Sequence, residues 1–168
     1  MKRFPKTYLI ALLVIALAVP GLLLLRRPQP PGPVQPIAFS HRVHAGDYQM
    51  ACLYCHTTAS RSTVAGVPSV QTCYECHRAV SKDSPEIVKV LQYWEQQQPI
   101  PWIRVHALAD FVYFSHKRHV RAEVACQTCH GVIERVEQVR QESSLTMGWC
   151  VDCHQQRSAP LECSTCHK

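Results

Sequence analysis

Every cysteine of the chain belongs to one repeated pattern, Cys-x-x-Cys-His, which occurs five times. In such a pattern the two thiols form thioether links to the vinyl groups of a haem, and the adjacent histidine binds its iron as the proximal ligand. The predicted attachment pairs are Cys52 and Cys55, Cys73 and Cys76, Cys126 and Cys129, Cys150 and Cys153, and Cys163 and Cys166. The predicted proximal ligands are His56, His77, His130, His154 and His167. The chain is therefore expected to carry five covalently attached haem c groups.

Five further histidines lie outside the motifs, one for each predicted iron. They are His41, His44, His106, His116 and His119. One spare imidazole per haem allows every iron to be bis-histidine and six-coordinate, which leaves no open position for catalysis. Met147, just before Gly148-Trp149-Cys150, is the alternative to His106 as the ligand of one iron. A thioether ligand would raise the potential of that haem relative to bis-histidine ligation. The histidine count thus favours an electron-transfer protein over an enzyme.

Two other uses of paired cysteines have to be compared with haem attachment. A zinc site usually combines two Cys-x-x-Cys pairs, and it does not need a histidine after the second cysteine each time. A disulfide framework does not need that histidine either. Five complete motifs that use all ten cysteines favour haem strongly over both.

The remaining composition points to a fold that is built around cofactors. Four Phe and three Trp in 168 residues are few for an ordinary core, so the haems are expected to supply it. We therefore expect a multihaem cytochrome c fold, mostly irregular, with short α-helices wrapped around five haems. The formal charge of +6 comes from scattered basic residues that can offset haem propionates, and it does not indicate nucleic-acid binding.

The N-terminal segment predicts a single transmembrane helix. Residues 8–25 form an uncharged stretch of 18 residues between basic clusters, which is at the short end for a membrane span. A cleaved signal peptide is the alternative, since Ala16-Leu17-Ala18 resembles a cleavage site, but the apolar run continues beyond it. In bacteria, haem is attached to this motif outside the cytoplasmic membrane. The predicted location is thus the cytoplasmic membrane, single-pass, with the haem domain on the periplasmic side.

Beyond this segment the chain divides into parts by composition and by an internal repeat. The predicted order is an anchor at 1–26, a proline-rich spacer at 27–36, a two-haem module at 37–80, a connector with His106 at 81–110, and a three-haem module at 111–168. The repeat is a Phe-Ser-His-x-x-His box, present at 39–44 and 114–119, upstream of a haem motif each time. Helices are expected from Ser84-Pro85-Glu86 up to Pro99 and from Ile133 to Glu142.

These boxes resemble the class III multihaem cytochromes, the tetrahaem c3 and trihaem c7 group. Over residues 37–168 the chain is more specifically similar to the pentahaem subunit of alternative complex III, through Pro101-Trp102-Ile103-Arg104-Val105-His106 and Met147-Gly148-Trp149-Cys150. That resemblance implies an electron relay within a quinol-oxidising complex. The implied partners are an iron–sulfur subunit resembling molybdopterin oxidoreductases, a quinol-binding membrane subunit and a monohaem cytochrome c.

The resemblance to the c3 group also implies how the box histidines are used. The first histidine of a box serves the next haem in the sequence, which pairs His41 with the Cys52/Cys55 haem and His116 with the Cys126/Cys129 haem. His44 and His119 would then serve other haems. Two alternative functions remain open: a relative of the tetrahaem quinol dehydrogenases, whose characteristic Met two residues after a motif histidine is absent here, and a multihaem reductase of a small oxyanion.

Overall fold

The computed structural model describes residues 7–8, 14–16, 18–19 and 31–167. The chain divides into two units, Met1–Pro30 and Pro31–Lys168. The second unit contains all five motifs and both boxes. Within the described residues it consists of short helices and irregular segments, and no β-strand is formed.

Seven α-helices follow one another in the second unit, and each of them is short. They are α1 (Cys52–Cys55), α2 (Val70–His77), α3 (Pro85–Glu95), α4 (His116–Arg121), α5 (Gln127–His130), α6 (Met147–Gln156) and α7 (Cys163–Cys166). A π-helical turn at Arg42–Asp47 carries part of the first box, and a 3-10 turn at Ile133–Arg135 follows α5. The expected fold of short helices in irregular chain is thus confirmed.

A small apolar core lies where α2 meets α3. Its buried members are Ile37, Val70, Val90 and Ile100, and Tyr93 and Trp102 pack against them. Four buried side chains are too few to stabilise a domain of this size. The polypeptide alone therefore does not provide an ordinary hydrophobic core, as the composition suggests.

The helix predicted to start at Pro85 is confirmed, and it ends earlier than expected. It finishes at Glu95, and the chain then turns through Gln97, whose φ of 52° lies in the left-handed region. Ser84 occupies the N-cap position, but its side chain makes no capping hydrogen bond. The proline at the first helical position favours the helix start because its missing N–H has no helical partner to lose.

The prediction of a helix from Ile133 to Glu142 is wrong. Only the 3-10 turn Ile133–Arg135 forms, and Val136 is extended, with φ −107° and ψ 138°. The carbonyl of Val136 accepts a hydrogen bond from the backbone N–H of Arg42, 3.0 Å away. A contact with another part of the chain thus replaces the local helical bond, in a segment whose β-branched valines favour extended structure.

The expectation of a single-pass membrane protein is also wrong. Within the residues that the structure describes, no helix is both long enough and apolar enough to cross a membrane. A span needs about 20 helical residues, whereas the longest of the seven helices has 11. Of the predicted anchor, residues 1–6, 9–13, 17 and 20–26 lie outside the described part, as do residues 27–30 of the spacer.

Candidate functional site

We number the five motifs as sites 1 to 5 in chain order; each site comprises two cysteines and the histidine that follows them. At three sites the motif histidine donates its backbone N–H to the carbonyl of the first cysteine of its motif: His56 to Cys52 at 2.9 Å, His130 to Cys126 at 3.0 Å and His167 to Cys163 at 2.9 Å. Sites 2 and 4 lie inside the longer helices α2 and α6. Helical spacing places thiols three residues apart on one face, as attachment to a single macrocycle requires.

None of the ten cysteines forms a disulfide in the structure. Within residues 31–167 and the described part of the N-terminus, no three His, Cys, Asp or Glu side chains converge as ligands for one ion. Structural zinc needs four such ligands. The described residues thus show neither a disulfide nor a cluster of three such ligands.

Seven of the ten histidine rings are held by backbone carbonyls through their Nδ1 atoms. The pairs are His44 with Ser40, His56 with Gly66, His77 with Val80, His116 with Thr63, His119 with Ser115, His154 with Pro160, and His167 with Phe111, at 2.7 to 3.2 Å. A carbonyl oxygen can only accept, so Nδ1 carries the proton and Nε2 keeps its lone pair. A hydrogen bond of this kind, on the ring nitrogen that does not bind the metal, fixes the tautomer and the orientation of metal-binding histidines.

The two boxes adopt the same local geometry. Phe39 stacks on His44 with ring centroids 4.4 Å apart, and Phe114 stacks on His119 at 4.4 Å. Each phenylalanine also meets the first histidine of its box edge-on, His41 at 4.9 Å and His116 at 4.8 Å. The sequence repeat therefore corresponds to a structural repeat that directs two imidazoles from one short segment.

Three of these box histidines face a motif histidine at a constant separation. The ring centroids of His44 and His77 are 6.1 Å apart, those of His116 and His130 are 6.4 Å apart, and those of His119 and His154 are 6.1 Å apart. Two imidazoles on opposite sides of one metal ion, with metal–nitrogen bonds of about 2.0 Å, have ring centroids roughly 6 to 6.5 Å apart. The residues therefore fit a six-coordinate haem iron at sites 2, 3 and 4.

His41, the first histidine of the first box, is partly buried, and His56 of site 1 is among its neighbours. Burial, followed by the neighbouring His56 and His44, lowers the pKa of His41 to about 4, so its ring is neutral at pH 7. Its buried Nδ1 has no hydrogen-bond partner. A partly buried, neutral imidazole near the motif histidine of site 1 has the chemistry of a metal ligand.

His106 lies in a different position from the four box histidines. Its ring meets that of His130 at 4.4 Å, with 3.3 Å between Nε2 of His106 and Nδ1 of His130. Burial is the main cause that lowers the pKa of His130 to about 4, with His106 next.

The aromatic ring beside His167 is that of Phe111, at 5.8 Å. Met147, the rival ligand from the sequence, has a side chain that is 68% exposed.

The carbonyls that hold the imidazoles were not found from the sequence. Any residue type can supply a backbone carbonyl, so Gly66, Thr63 and Phe111 carry no signal of this role. The contacts of His116 with Thr63 and of His167 with Phe111 also span 53 and 56 residues. Only the local contacts within the boxes, where a histidine bonds the serine four residues earlier, could be anticipated from a repeat.

Comparison with known proteins gives matches over two adjacent stretches of the chain. Residues 25–102 match the class III cytochrome C family, and residues 112–168 match cytochrome c7 and related cytochrome c. A curated relative, the multiheme cytochrome c subunit of the menaquinone reductase of Nitratidesulfovibrio vulgaris (Hildenborough), is 37% identical over 102 residues. The match covers 60% of this chain and 48% of the relative, so the chain spans about half the length of that protein.

These similarities are to cytochromes and to a multiheme cytochrome c subunit, which agrees with the expectation that the chain is an electron-transfer subunit. The cysteine–histidine motifs, the held imidazoles and the matched stretches all point the same way. The chain is similar, over both of its motif-bearing parts, to the class III and c7-type multihaem c-type cytochromes.

Proposed function

We propose that the chain binds five haem c groups and relays electrons within a quinol-oxidising complex of the alternative complex III type, toward an acceptor. The observation that carries the proposal is the pairing of three box histidines with three motif histidines at 6.1 to 6.4 Å. Each bound haem would supply a one-electron iron couple. The chain's part is to attach it, to hold both axial imidazoles and to limit its exposure to water.

The ring separations at sites 2, 3 and 4 and the histidine count support a set of axial pairs. We assign His44 and His77 to site 2, His116 and His130 to site 3, and His119 and His154 to site 4. His41 with His56 is the corresponding pair at site 1. His106 and His167 remain for site 5, where ligation requires the His106 ring to turn away from His130. Bis-histidine ligation gives lower potentials than His/Met ligation, which suits exchange with a quinone pool.

The partners are proposed from the resemblance and from the relative. They are an iron–sulfur subunit resembling molybdopterin oxidoreductases, a quinol-binding membrane subunit and a monohaem cytochrome c. The relative belongs to a menaquinone reductase, which supports a link to quinone chemistry. A role in which electrons pass toward menaquinone, rather than away from quinol, is therefore the second candidate.

The first experiment counts the haems in the purified full-length chain. Absorbance of the pyridine haemochrome and the intact mass should both give five haems per polypeptide. The double variant Cys163→Ser/Cys166→Ser should give four. A count below five in the unmodified protein would overturn the cofactor proposal.

A second experiment tests the complex. A tag on this chain should recover an iron–sulfur subunit and a quinol-binding subunit, and the isolated complex should reduce its haems when quinol is added. Haem reduction by an added reductant of lower potential, with no response to quinol, would favour electron flow toward quinone. Recovery of the chain alone with all haems in place would reject the assignment to a complex.

A further inference from the structure

The loop that follows site 1, residues 57–66, supplies the carbonyl that holds the motif histidine of that site. Nδ1 of His56 donates to the carbonyl of Gly66, 2.7 Å away and ten residues further along the chain. A hydrogen bond of this kind orients a metal-binding imidazole and makes it a stronger base toward the metal. The orientation of the His56 ring thus depends on the path that this loop takes back to it.

The same loop holds a second imidazole, which belongs to the second module. The carbonyl of Thr63 accepts from the backbone N–H of His116 at 3.1 Å and from its Nδ1 at 3.0 Å. The preceding carbonyl, that of Ser62, accepts from the backbone N–H of Lys117 at 3.0 Å. His116 is the ring that faces His130 at 6.4 Å, with 11° between the ring planes. One loop therefore contacts the motif histidine of site 1 and the facing histidine of site 3.

The boxes position their second histidine by themselves, but not their first. His44 and His119 each donate from Nδ1 to the carbonyl of the serine in their own box, at 2.9 Å. Within the part of the chain that the structure describes, the buried Nδ1 of His41 has no partner. Nδ1 of His116 has one only because a carbonyl 53 residues earlier in the chain reaches it. The loop thus supplies a contact that the repeated sequence does not contain.

The side chain of Thr58 connects the two halves of this loop. Its hydroxyl oxygen lies 2.9 Å from the carbonyl oxygen of Val64 and 2.7 Å from that of Ala65, so its single proton is shared between two acceptors. The backbone carbonyl of Thr58 accepts from the N–H groups of Arg61 at 3.0 Å and Ser62 at 2.7 Å. The carbonyls that Thr58 holds, at positions 64 and 65, lie between those that hold the two imidazoles, at 63 and 66.

Gly66 provides the space that the Thr58 hydroxyl occupies. Its φ of 73° lies in the left-handed region, which glycine adopts without strain. A Cβ at this position would also lie 2.7 Å from Oγ1 of Thr58, closer than real contacts allow. The residue whose carbonyl holds His56 therefore packs directly against the hydroxyl that shapes the loop.

We infer that Thr58 is a positioning residue for two haems at once, because its hydroxyl shapes the loop whose carbonyls hold His56 at site 1 and His116 at site 3. The inference rests on the proposed function, in which both histidines are iron ligands. A bonded Nδ1–H makes an imidazole more basic and favours the ferric state of the iron that it binds, which lowers the potential. Loss of the hydroxyl should therefore raise the potentials of sites 1 and 3 together. Sites 2, 4 and 5 should keep theirs, since other carbonyls hold their motif histidines: Val80, Pro160 and Phe111.

The test compares Thr58→Val, which keeps the shape of the side chain and removes its hydroxyl, with Thr58→Ser, which keeps the hydroxyl. Thr57→Val is the matched control, because it makes the same change at the neighbouring, exposed residue. A redox titration of each holoprotein, followed by nuclear magnetic resonance, gives the potential of every haem. Each haem is assigned through Overhauser contacts to the Hβ protons of its own two cysteines. We expect upward shifts at sites 1 and 3 in Thr58→Val, and potentials close to those of the parent in the other two variants.

Shifts at neither site, at only one of the two, or equally at all five haems would overturn the inference. A lower melting temperature of Thr58→Val with unchanged potentials would overturn it too, since Thr58 would then only stabilise the loop. Equal shifts in Thr57→Val would have the same meaning. A haem count below five in the unmodified protein would instead contradict the proposed function.

A second variant and a measurement on the unmodified protein apply if Thr58→Val does not fold. Gly66→Ala, whose Cβ would displace the Thr58 hydroxyl, should raise both potentials, and a shift at site 1 alone would overturn the inference. In the reduced, unmodified holoprotein, the Nδ1 proton of His116 should show Overhauser contacts to backbone protons of Thr63, and that of His56 to those of Gly66. If either set of contacts is missing, the loop does not hold both rings and the inference is wrong.

Discussion

The ring of Phe114 stacks on the ring of His119 with 4.4 Å between centroids and 27° between planes. On its other side His119 is fixed by the carbonyl of Ser115, 2.9 Å from Nδ1. The imidazole is thus oriented by an aromatic face and by a hydrogen bond before any metal binds. The same pair of contacts holds His44 through Phe39 and Ser40.

Replacing Phe114 with Leu should weaken this orientation while keeping an apolar side chain. Loss of the aromatic pair is expected to lower the free energy of unfolding of the holoprotein by about 1 kcal/mol. It should also broaden the resonance signal of the haem at site 4. Thermal melting and electron paramagnetic resonance measure the two effects. The control Tyr113→Leu changes an exposed side chain, and equal effects of both variants would contradict the role of the stack.

Replacing His119 with Ala should open one iron. We expect one of five haems to become high-spin and to bind carbon monoxide, because the sixth ligand is lost. His44→Ala should do the same at site 2, and the double variant should give two high-spin haems. Lys117→Ala, between the two histidines of the second box, is the control. If all five haems remain low-spin in His119→Ala, the facing rings do not represent an axial pair.

His106→Ala tests the fifth ligand. The number of spare histidines equals the number of motifs, so we expect one high-spin haem in this variant, at site 5. Met147→Leu is the matched control and should leave all haems low-spin, since the Met147 side chain is 68% exposed. If all five haems instead stay low-spin and the potential at site 3 shifts, His106 is a hydrogen-bond partner of His130 and not an iron ligand.

Gly46→Ala tests the junction between the modules. A Cβ at this position collides with the backbone carbonyl of Glu134, which cannot rotate away as a side chain can. Overpacking of this kind costs about 1–3 kcal/mol, so we expect a lower melting temperature of the holoprotein. Gly148→Ala is the control, because no heavy atom lies within 4 Å of its Cβ position. Equal melting temperatures for the two variants would show that the close approach is unimportant.

Glu86→Gln should make stability less dependent on pH. The hydrogen bond from Lys89, followed by that from the N–H of Ala38, lowers the pKa of the Glu86 carboxyl. A lowered folded pKa means that its contribution is complete above the unfolded pKa of about 4.3 and is lost as pH falls below it. The variant should therefore melt slightly lower at pH 7, by an amount equivalent to less than about 1 kcal/mol, and match the parent protein near pH 3. Glu95→Gln, on the same helix, is the control.

The sequence predicts local features of this chain well and non-local ones poorly. The boxes at 39–44 and 114–119 share a geometry because stacking and the bond to serine lie within one short segment. The helix from Pro85 is also determined locally. At Val136, in contrast, a contact with Arg42 overrides the helical period. The position of His106 beside His130 depends on how distant segments meet, which motif spacing does not encode.

The carbonyl that holds His116 has a consequence for assembly. The contacts described for the imidazoles of sites 1 and 2 lie within residues 39–80, through Phe39, Ser40, Gly66 and Val80. Site 3, however, needs Thr63 from the first module to fix its facing ring. A chain that emerges from its N-terminus can therefore mature its first two sites before the rest exists. Orientation of the facing ring at site 3 thus depends on the loop that follows site 1 as well as on the second module.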